Sequence, residues 1–223
     1  MGYFFTINMT IEGIPYSLNI DTGSSDIFIK GENSKGKPER KFTCPVCKQQ
    51  NKKYWISYLD GTLYTYLKEV NINFGKHAFK ENILVAYYAP KNFENPQGLV
   101  GLSFPTLARN PHGTFIQTLI NNKIINKYAF GVNLNFQNNK SSSITFGEPD
   151  HSKFEGELLK VPIMSLNSYL IRLDSVQVGQ SVHFALYQAL LDTGNSCISL
   201  PKRFESMILE QFNRGPNRCG FCP

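Results

Sequence analysis

Apolar and polar residues alternate with a period of two along most of this chain, in short lengths. One such stretch begins at Tyr3 and runs to Gly13, and another begins at Tyr169 and runs to Gly179. Each leads into an apolar run, ending at Ile20 in the first case and Leu191 in the second, and each run delivers an aspartate, Asp21 or Asp192. Many of the 17 Phe and 11 Tyr lie beside Val, Ile and Thr, the residue types that fit a pleated, half-buried surface. The pattern predicts an all-β protein of short strands. Its longest apolar stretches, such as 83–89, fall far short of the roughly 18 residues a membrane-crossing helix needs. No transmembrane segment is expected.

The two stretches are related copies. Tyr16-Ser-Leu-Asn-Ile-Asp21-Thr-Gly-Ser-Ser25-Asp-Ile27 aligns with Tyr187-Gln-Ala-Leu-Leu-Asp192-Thr-Gly-Asn-Ser196-Cys-Ile198, with Tyr, Asp, Thr, Gly, Ser and Ile in register. An Asp-Thr-Gly-x-Ser string is expected by chance in roughly one chain per thousand of this length. A single Asp-Thr-Gly reads as a turn cap; two, each after an apolar strand, do not. Gly23 and Gly194 let the backbone turn tightly and approach a ligand, so each Asp is presented at a loop tip. Two related β lobes are implied, residues 1–162 and residues 163–223.

Composition narrows the chemistry. With 223 residues and 41% hydrophobic content, the chain can bury a substantial core. The net charge of +6 is spread thinly except from Lys30 to Lys53, where eight Lys or Arg face two Glu. That segment reads as a solvated loop. Nucleic-acid binding is not expected, because only Phe42 interleaves the charges before the first Cys pair. His77, His112, His151 and His183 lack the spacing of a metallopeptidase, and Ser24 and Ser103 lack the context of a serine hydrolase nucleophile.

Five cysteines, Cys44, Cys47, Cys197, Cys219 and Cys222, leave at least one without an internal partner. The two C-x-x-C pairs suit either a four-thiolate zinc site or local disulfides. The disulfide reading, with Cys44 and Cys47 adjacent and Cys197 unpartnered, is the expectation, and no metal is expected. Glycosylation acceptor patterns at Asn8 and Asn139 agree with an oxidising compartment. No signal peptide is visible. The Met1-Gly2 start formally fits a myristoylation pattern, but its bulky aromatics read as an entering strand.

With these residues in hand, the chain resembles the pepsin family of eukaryotic aspartic proteases. Asp21-Thr22-Gly23-Ser24-Ser25 resembles the family's first active-site motif and Asp192-Thr193-Gly194 its second. Ile56-Ser57-Tyr58 with Asp60-Gly61-Thr62 is similar to the flap hairpin, and Gly98-Leu99-Val100-Gly101-Leu102 to the segment that braces the first catalytic loop. The resemblance implies a bilobal acid-protease fold and an endopeptidase acting on polypeptides through water activated by Asp21 and Asp192. No cofactor, metal or covalent nucleophile is needed. By the same resemblance Ser24, Thr22, Thr193 and Asn195 support the carboxylates, while Gly23, Tyr58, Gly61, Thr62 and Gly194 contact substrate. Cys44-Pro-Val-Cys47 resembles a shortened version of the family's small disulfide loop. A monomer routed through the secretory pathway, to a lysosome- or vacuole-like compartment or outside the cell, is also implied.

Three departures stand out. Asn195 replaces the Ser or Thr that usually follows the second Asp-Thr-Gly, and its amide is expected to donate the equivalent hydrogen bond. Phe28 stands where the family commonly has Trp, and residues 30–40 read as an insertion. Far fewer residues follow Asp192 than follow Asp21 within the first lobe, and no second bracing segment appears after Pro201. The expectation is therefore an incomplete second lobe in a fragment of a longer protein, with uncovered apolar strand surface. The competing reading is a catalytically impaired relative that binds peptides.

Overall fold

A computed structural model of the chain describes residues 5–32, 34, 41–58, 61–89, 97–135 and 142–211. β1 (Thr6–Ile11) and β2 (Ile14–Asp21) form a hairpin in which Ile11 pairs with Ile14. Its two turn residues, Glu12 and Gly13, have φ of 51° and 76°, the mirror-image turn whose twist matches that of the strands. β3 (Ile27–Lys30), β4 (Gln49–Tyr58), β5 (Gly61–Phe74), β6 (His77–Tyr88) and β7 (Gly98–Gly101) complete a sheet ordered β1-β2-β7-β3-β6-β5-β4.

β1 also pairs with β5, Thr10 opposite Asn73 and Ile11 opposite Ile72, so six of the seven strands close into a barrel. Closure satisfies strand edges that would otherwise stand open. β4 stays outside the ring, paired only to β5, and the β4–β5 hairpin projects beyond it.

The predicted alternation fills this barrel. Ile7, Met9 and Ile11 of β1 meet Leu18 and Ile20 of β2, Val70 and Ile72 of β5, and Ile83 and Val85 of β6 in one buried cluster. Helix α1 (Phe115–Asn121) adds Phe115, Ile116 and Leu119 to it. A helix here was not anticipated by the strand reading. Its start is nonetheless written in the sequence, because Thr114 and Gln117 form a reciprocal capping box. A second cluster, with Phe28, Leu63, Leu67, Leu84 and Leu99, lies beneath the projecting hairpin.

Beyond the barrel, β8 (Phe130–Asn133) pairs with β9 (Ser143–Phe146) and β10 (Leu170–Val178) with β11 (Ser181–Leu190), and α2 (Glu205–Gln211) follows. Among the described strands β10 and β11 pair only with each other, and apolar side chains around them are open to solvent. Phe184, Leu186 and Leu191 are 82%, 74% and 54% exposed, as expected for uncovered strand surface.

Two expectations need correction. Lys30 does not belong to a solvated loop: it ends β3, is buried, and its amine is pushed down to about 8 by burial and secondarily by Lys41. Cys44 and Cys47 form the expected disulfide, which leaves neither as a thiolate for zinc. Cys197, however, is itself disulfide-bonded, to a partner outside the described residues. Cys219, Cys222, Asp60, Asn139 and most of the insertion also lie outside them.

One buried group makes the barrel sensitive to pH. Glu81 of β6 is 4% exposed; its Oε1 accepts the Asn82 amide at 2.8 Å, while Oε2 finds no partner among the described residues. Burial pushes its carboxyl up to about 7, with the nearby Thr118 side chain and the Asn82 amide opposing. A carboxyl whose folded pKa is raised binds more protons folded than unfolded, so its contribution is intact below the unfolded value and is lost as pH rises toward 7. Thermal unfolding is expected to show a loss on the order of 3 kcal/mol between pH 4.5 and 7 from this group. Glu81→Gln is expected to flatten that part of the profile; an unchanged slope would show that Glu81 does not contribute.

Candidate active site

β2 ends in Asp21 because the chain must leave the barrel there: the next residues, 22–26, turn back before β3. β7 runs parallel to β2, Ile20 opposite Val100 and Asp21 opposite Gly101. It also runs antiparallel to β3. Leu102 N donates to Asp21 O at 2.8 Å, and Ser103 N to Ser24 O at 2.8 Å. A Cβ on Gly101 would stand 2.5 Å from Asp26 N, so only glycine lets the loop lie this close. The expected bracing segment is in place.

Asp26 secures the other end of the loop. Its buried carboxylate accepts the Arg109 amide at 2.9 Å and the Asn110 amide at 2.8 Å. Burial still holds its pKa above the ordinary value, with those two amides opposing. The sequence reading did not single out this residue. The signal was a charged side chain inside an otherwise apolar and small-residue run.

The second loop meets the first through their threonines. Thr22 Oγ1 donates to Leu191 O at 2.7 Å and accepts the Thr193 amide at 2.9 Å. Thr193 Oγ1 donates to Ile20 O at 2.9 Å and accepts the Thr22 amide at 3.1 Å. Four reciprocal bonds thus join segments about 170 residues apart in sequence. This is the pairing that two matching loops make across a pseudo-twofold axis.

That pairing sets the two carboxyls side by side, since a Cβ placed on Gly194 would meet oxygens of both Asp21 and Asp192. Each is backed by the glycine of the opposite loop: a Cβ on Gly23 would stand 2.7 Å from Asp192 Oδ2, and one on Gly194 would stand 2.8 Å from Asp21 Cγ. Asp21 Oδ1 accepts Gly23 N at 2.9 Å and Asp192 Oδ1 accepts Gly194 N at 2.8 Å. Ser24 Oγ donates to Asp21 Oδ2. Burial, and then the charge of Asp192, push the Asp21 carboxyl up to about 6, against the hydrogen bonds from Ser24 and Gly23. Asp21 is buried and Asp192 half-buried, and burial disfavours the charged form of Asp21.

Tyr58 reaches the site from the β4–β5 hairpin, where it pairs with Gly61. Its ring packs on Phe28 with centroids 5.8 Å apart. Its hydroxyl is enclosed, and burial followed by the Asp21 charge hold that hydroxyl well above the usual tyrosine value, with Ser24 opposing. Phe28 therefore gives Tyr58 a packing surface and, in place of the Trp common to the family the chain resembles, offers no side-chain donor. Thr62, near the hairpin tip, lies 3.1 Å from Ser57 through their hydroxyls.

Asn195 departs from expectation. Its Nδ2 donates to Ser199 Oγ at 3.2 Å and its Oδ1 accepts the Cys197 amide at 3.2 Å, so the amide is turned into its own loop and away from Asp192. Among the described residues no side chain does for Asp192 what Ser24 does for Asp21.

The site is assembled by one chain that is similar to several fungal proteins along most of its length. It is 29% identical to rhizopuspepsin of Rhizopus chinensis over 98% of this chain and 58% of that protein. It is 28% identical to rhizopuspepsin-1 of Rhizopus niveus, over 98% of this chain and 59% of that one. Candidapepsin-3 of Candida albicans (strain WO-1) is 28% identical over 87% of this chain and 52% of its own length. The chain thus spans less than two thirds of the relatives it matches. A family model for eukaryotic aspartyl proteases matches residues 2–219, and with a match over nearly the whole chain this protein belongs to the eukaryotic aspartyl protease family.

Proposed function

We propose that the whole protein is an aspartic endopeptidase, with Asp21 and Asp192 as its catalytic pair. The observation that carries this reading is the meeting of the two aspartate loops across the threonine lattice, each loop's glycine lying against the other's carboxyl, with Asp21 raised to about 6. Paired aspartates that share one proton are general to this family. Asp192, ionised, takes a proton from a water molecule as its oxygen bonds to the peptide carbonyl carbon. Asp21, protonated, donates to the carbonyl oxygen as negative charge develops there. When the C–N bond breaks, the proton held by Asp192 passes to the leaving nitrogen, and both carboxyls return to their starting state. Tyr58, on the hairpin over the pair, screens it from bulk water.

The supporting roles follow from the same geometry. Ser24 fixes the outer oxygen of Asp21, Thr22 and Thr193 hold the loops together, and Gly23, Gly194 and Gly61 border the space for an extended peptide, whereas the side chain of Thr62 lies on the outer face of the hairpin with Ser57. Residues 1–162 and 163–223 are proposed as lobes contributing one aspartate each, in a monomer. A secretory route is supported by the Cys44–Cys47 disulfide, which calls for an oxidising compartment, and by similarity to a protein named secreted aspartic protease 3. No helix among the described residues is long and apolar enough to cross a membrane.

A second reading, a relative that binds peptides without cutting them, is favoured by one observation: Asn195 is engaged by Ser199 and Cys197. A statine-type peptide, whose hydroxyl sits between the carboxyls, separates the two. Tight statine binding with no turnover would support the binding module.

In the whole protein, Asp21→Ala and Asp192→Ala are each expected to lower kcat by at least about a thousandfold. Wild-type cleavage should be present in acid and decline as pH rises through about 6, where Asp21 loses its proton. Retained proteolysis in Asp192→Ala would remove the pair as catalyst. Thr193→Val deletes one donor and leaves the Thr22 amide without its acceptor. It is expected to cost about 1–3 kcal/mol in thermal unfolding and to lower kcat more than it raises KM, because the loops lose their mutual register. An equal change in both parameters would argue against a positioning role.

A further inference from the structure

The outer face of the β4–β5–β6 sheet carries a cluster of aromatic rings that the catalytic reading does not use. Along β5, Leu63, Thr65 and Leu67 point inward, while Tyr64 and Tyr66 point to the opposite face. Trp55 of β4 pairs directly with Tyr64, and Lys53 with Tyr66. On β6 the register slips between Tyr64 and Thr65, so that Tyr64 faces Tyr88 and Thr65 faces Ala86. The extra residue in that bulge is Tyr87, and a bulge re-aims its side chains. Two consecutive tyrosines therefore reach the same surface.

The resulting surface is both apolar and open. Trp55 is 62% exposed, Tyr64 44% and Tyr88 39%. The Tyr64 ring lies 5.7 Å from Tyr88 at 64° and 6.4 Å from Tyr87 at 44°, while Tyr66 packs on Tyr87 at 4.6 Å and 33°. Thr62, Tyr64, Tyr87 and Tyr88 line a depression of about 530 Å³. Lys53 Nζ stands 5.8 Å from the Tyr66 ring and 5.6 Å from Tyr87. The outward residues of the two hairpin strands here, 53, 55 and 57 with 62, 64 and 66, include this one cation and no carboxylate.

We infer that this face is a docking surface for an extended, proline-containing acidic segment of a partner polypeptide. The depression bordered by Tyr64, Tyr87 and Tyr88, together with the exposed Trp55 on the neighbouring strand, offers aromatic surface on which flat pyrrolidine rings can pack. A polyproline segment loses little conformational freedom on docking and leaves its carbonyls free for the phenol hydroxyls at the rim. The ammonium of Lys53, already seated against two rings, complements acidic side chains beside the prolines. Single-stranded nucleic acid fits less well. It needs a cation for successive phosphates, whereas the outward residues of the hairpin strands at positions 53, 55, 57, 62, 64 and 66 offer one. The surface is independent of the aspartate pair, so its test needs no turnover.

Trp55 is the only tryptophan in the chain, so intrinsic fluorescence reports on this face directly. The purified protein is titrated with a synthetic peptide of alternating proline pairs and glutamates, and with the same peptide carrying glycine for proline. Oligo(dT) of matched charge is the third probe, and probe integrity is checked by mass. A saturable change in Trp55 emission is expected with the proline peptide, with the glycine analogue about tenfold weaker because its ordering cost is higher. Tyr64→Ala and Tyr88→Ala, both at exposed positions and each checked for unchanged thermal unfolding, are expected to weaken binding by about tenfold. Lys53→Gln should weaken it less, and only at low salt. No saturable change, equal binding of the glycine analogue or of oligo(dT), or unaltered binding by Tyr64→Ala would each overturn the proposal.

Discussion

The four hydrogen bonds between Thr22 and Thr193 and the backbones of the opposite loops are the constraint on which the rest of the site depends. Each hydroxyl both donates to a carbonyl and accepts an amide, so the two loops have no polar group to spare at their contact. Such bonds are individually worth about 1 kcal/mol net, but leaving one member unmatched in a buried position costs more than that. The lattice therefore resists sliding more than its small size implies. Everything downstream inherits its registration: the carboxyls are brought together because the residues on both sides of each, Ile20 and Thr22 in one loop and Leu191 and Thr193 in the other, are locked across the contact.

The close approach also explains the glycines. Gly23 and Gly194 matter less for their own turns than for what stands opposite, since each occupies the volume against which the other loop's carboxyl rests. Gly101 does the same one layer down, under Ser25 and Asp26. Three small residues thus allow three backbones to pack without side chains between them. The barrel contributes rigidity by closing β1 onto β5, so that β2 cannot pivot when the Asp21 loop is loaded. The Asp192 loop has no matching support among the described strands, because β10 and β11 pair only with each other. The asymmetry in burial of the two aspartates follows from this difference.

Much of this was legible in the sequence, for identifiable reasons. The strands before Asp21 were visible because one face is buried and the other is not, which writes the period of two into β1 and β2. The duplicated Asp-Thr-Gly was visible because both loops must satisfy the same contact. What failed to show were features that depend on a distant partner. Lys30 carries a charge that periodicity assigns to solvent, yet β3 is flanked by β6 and β7 and buries it. Asn195 is chemically able to reach Asp192, but Ser199 and the Cys197 amide are nearer claims on its side chain. Helix α1 interrupts an all-β reading although its capping box was in plain view, because a seven-residue helix is too short to impose a period of its own.

Three buried carboxyls, Asp21, Asp26 and Glu81, share a direction of perturbation, and they are connected. Glu81 accepts the amide of Asn82, the carbonyl of Asn82 accepts the side chain of Asn110, and the amide of Asn110 donates to Asp26 in the Asp21 loop. Burial is the leading cause of the raised pKa at each of the three acids. By linkage each favours the folded state most when protonated, and each loses part of its contribution as pH rises through its folded value. All three carboxyls are least costly to bury when acid protonates them, because the shifts arise from one cause, carboxyls held out of water.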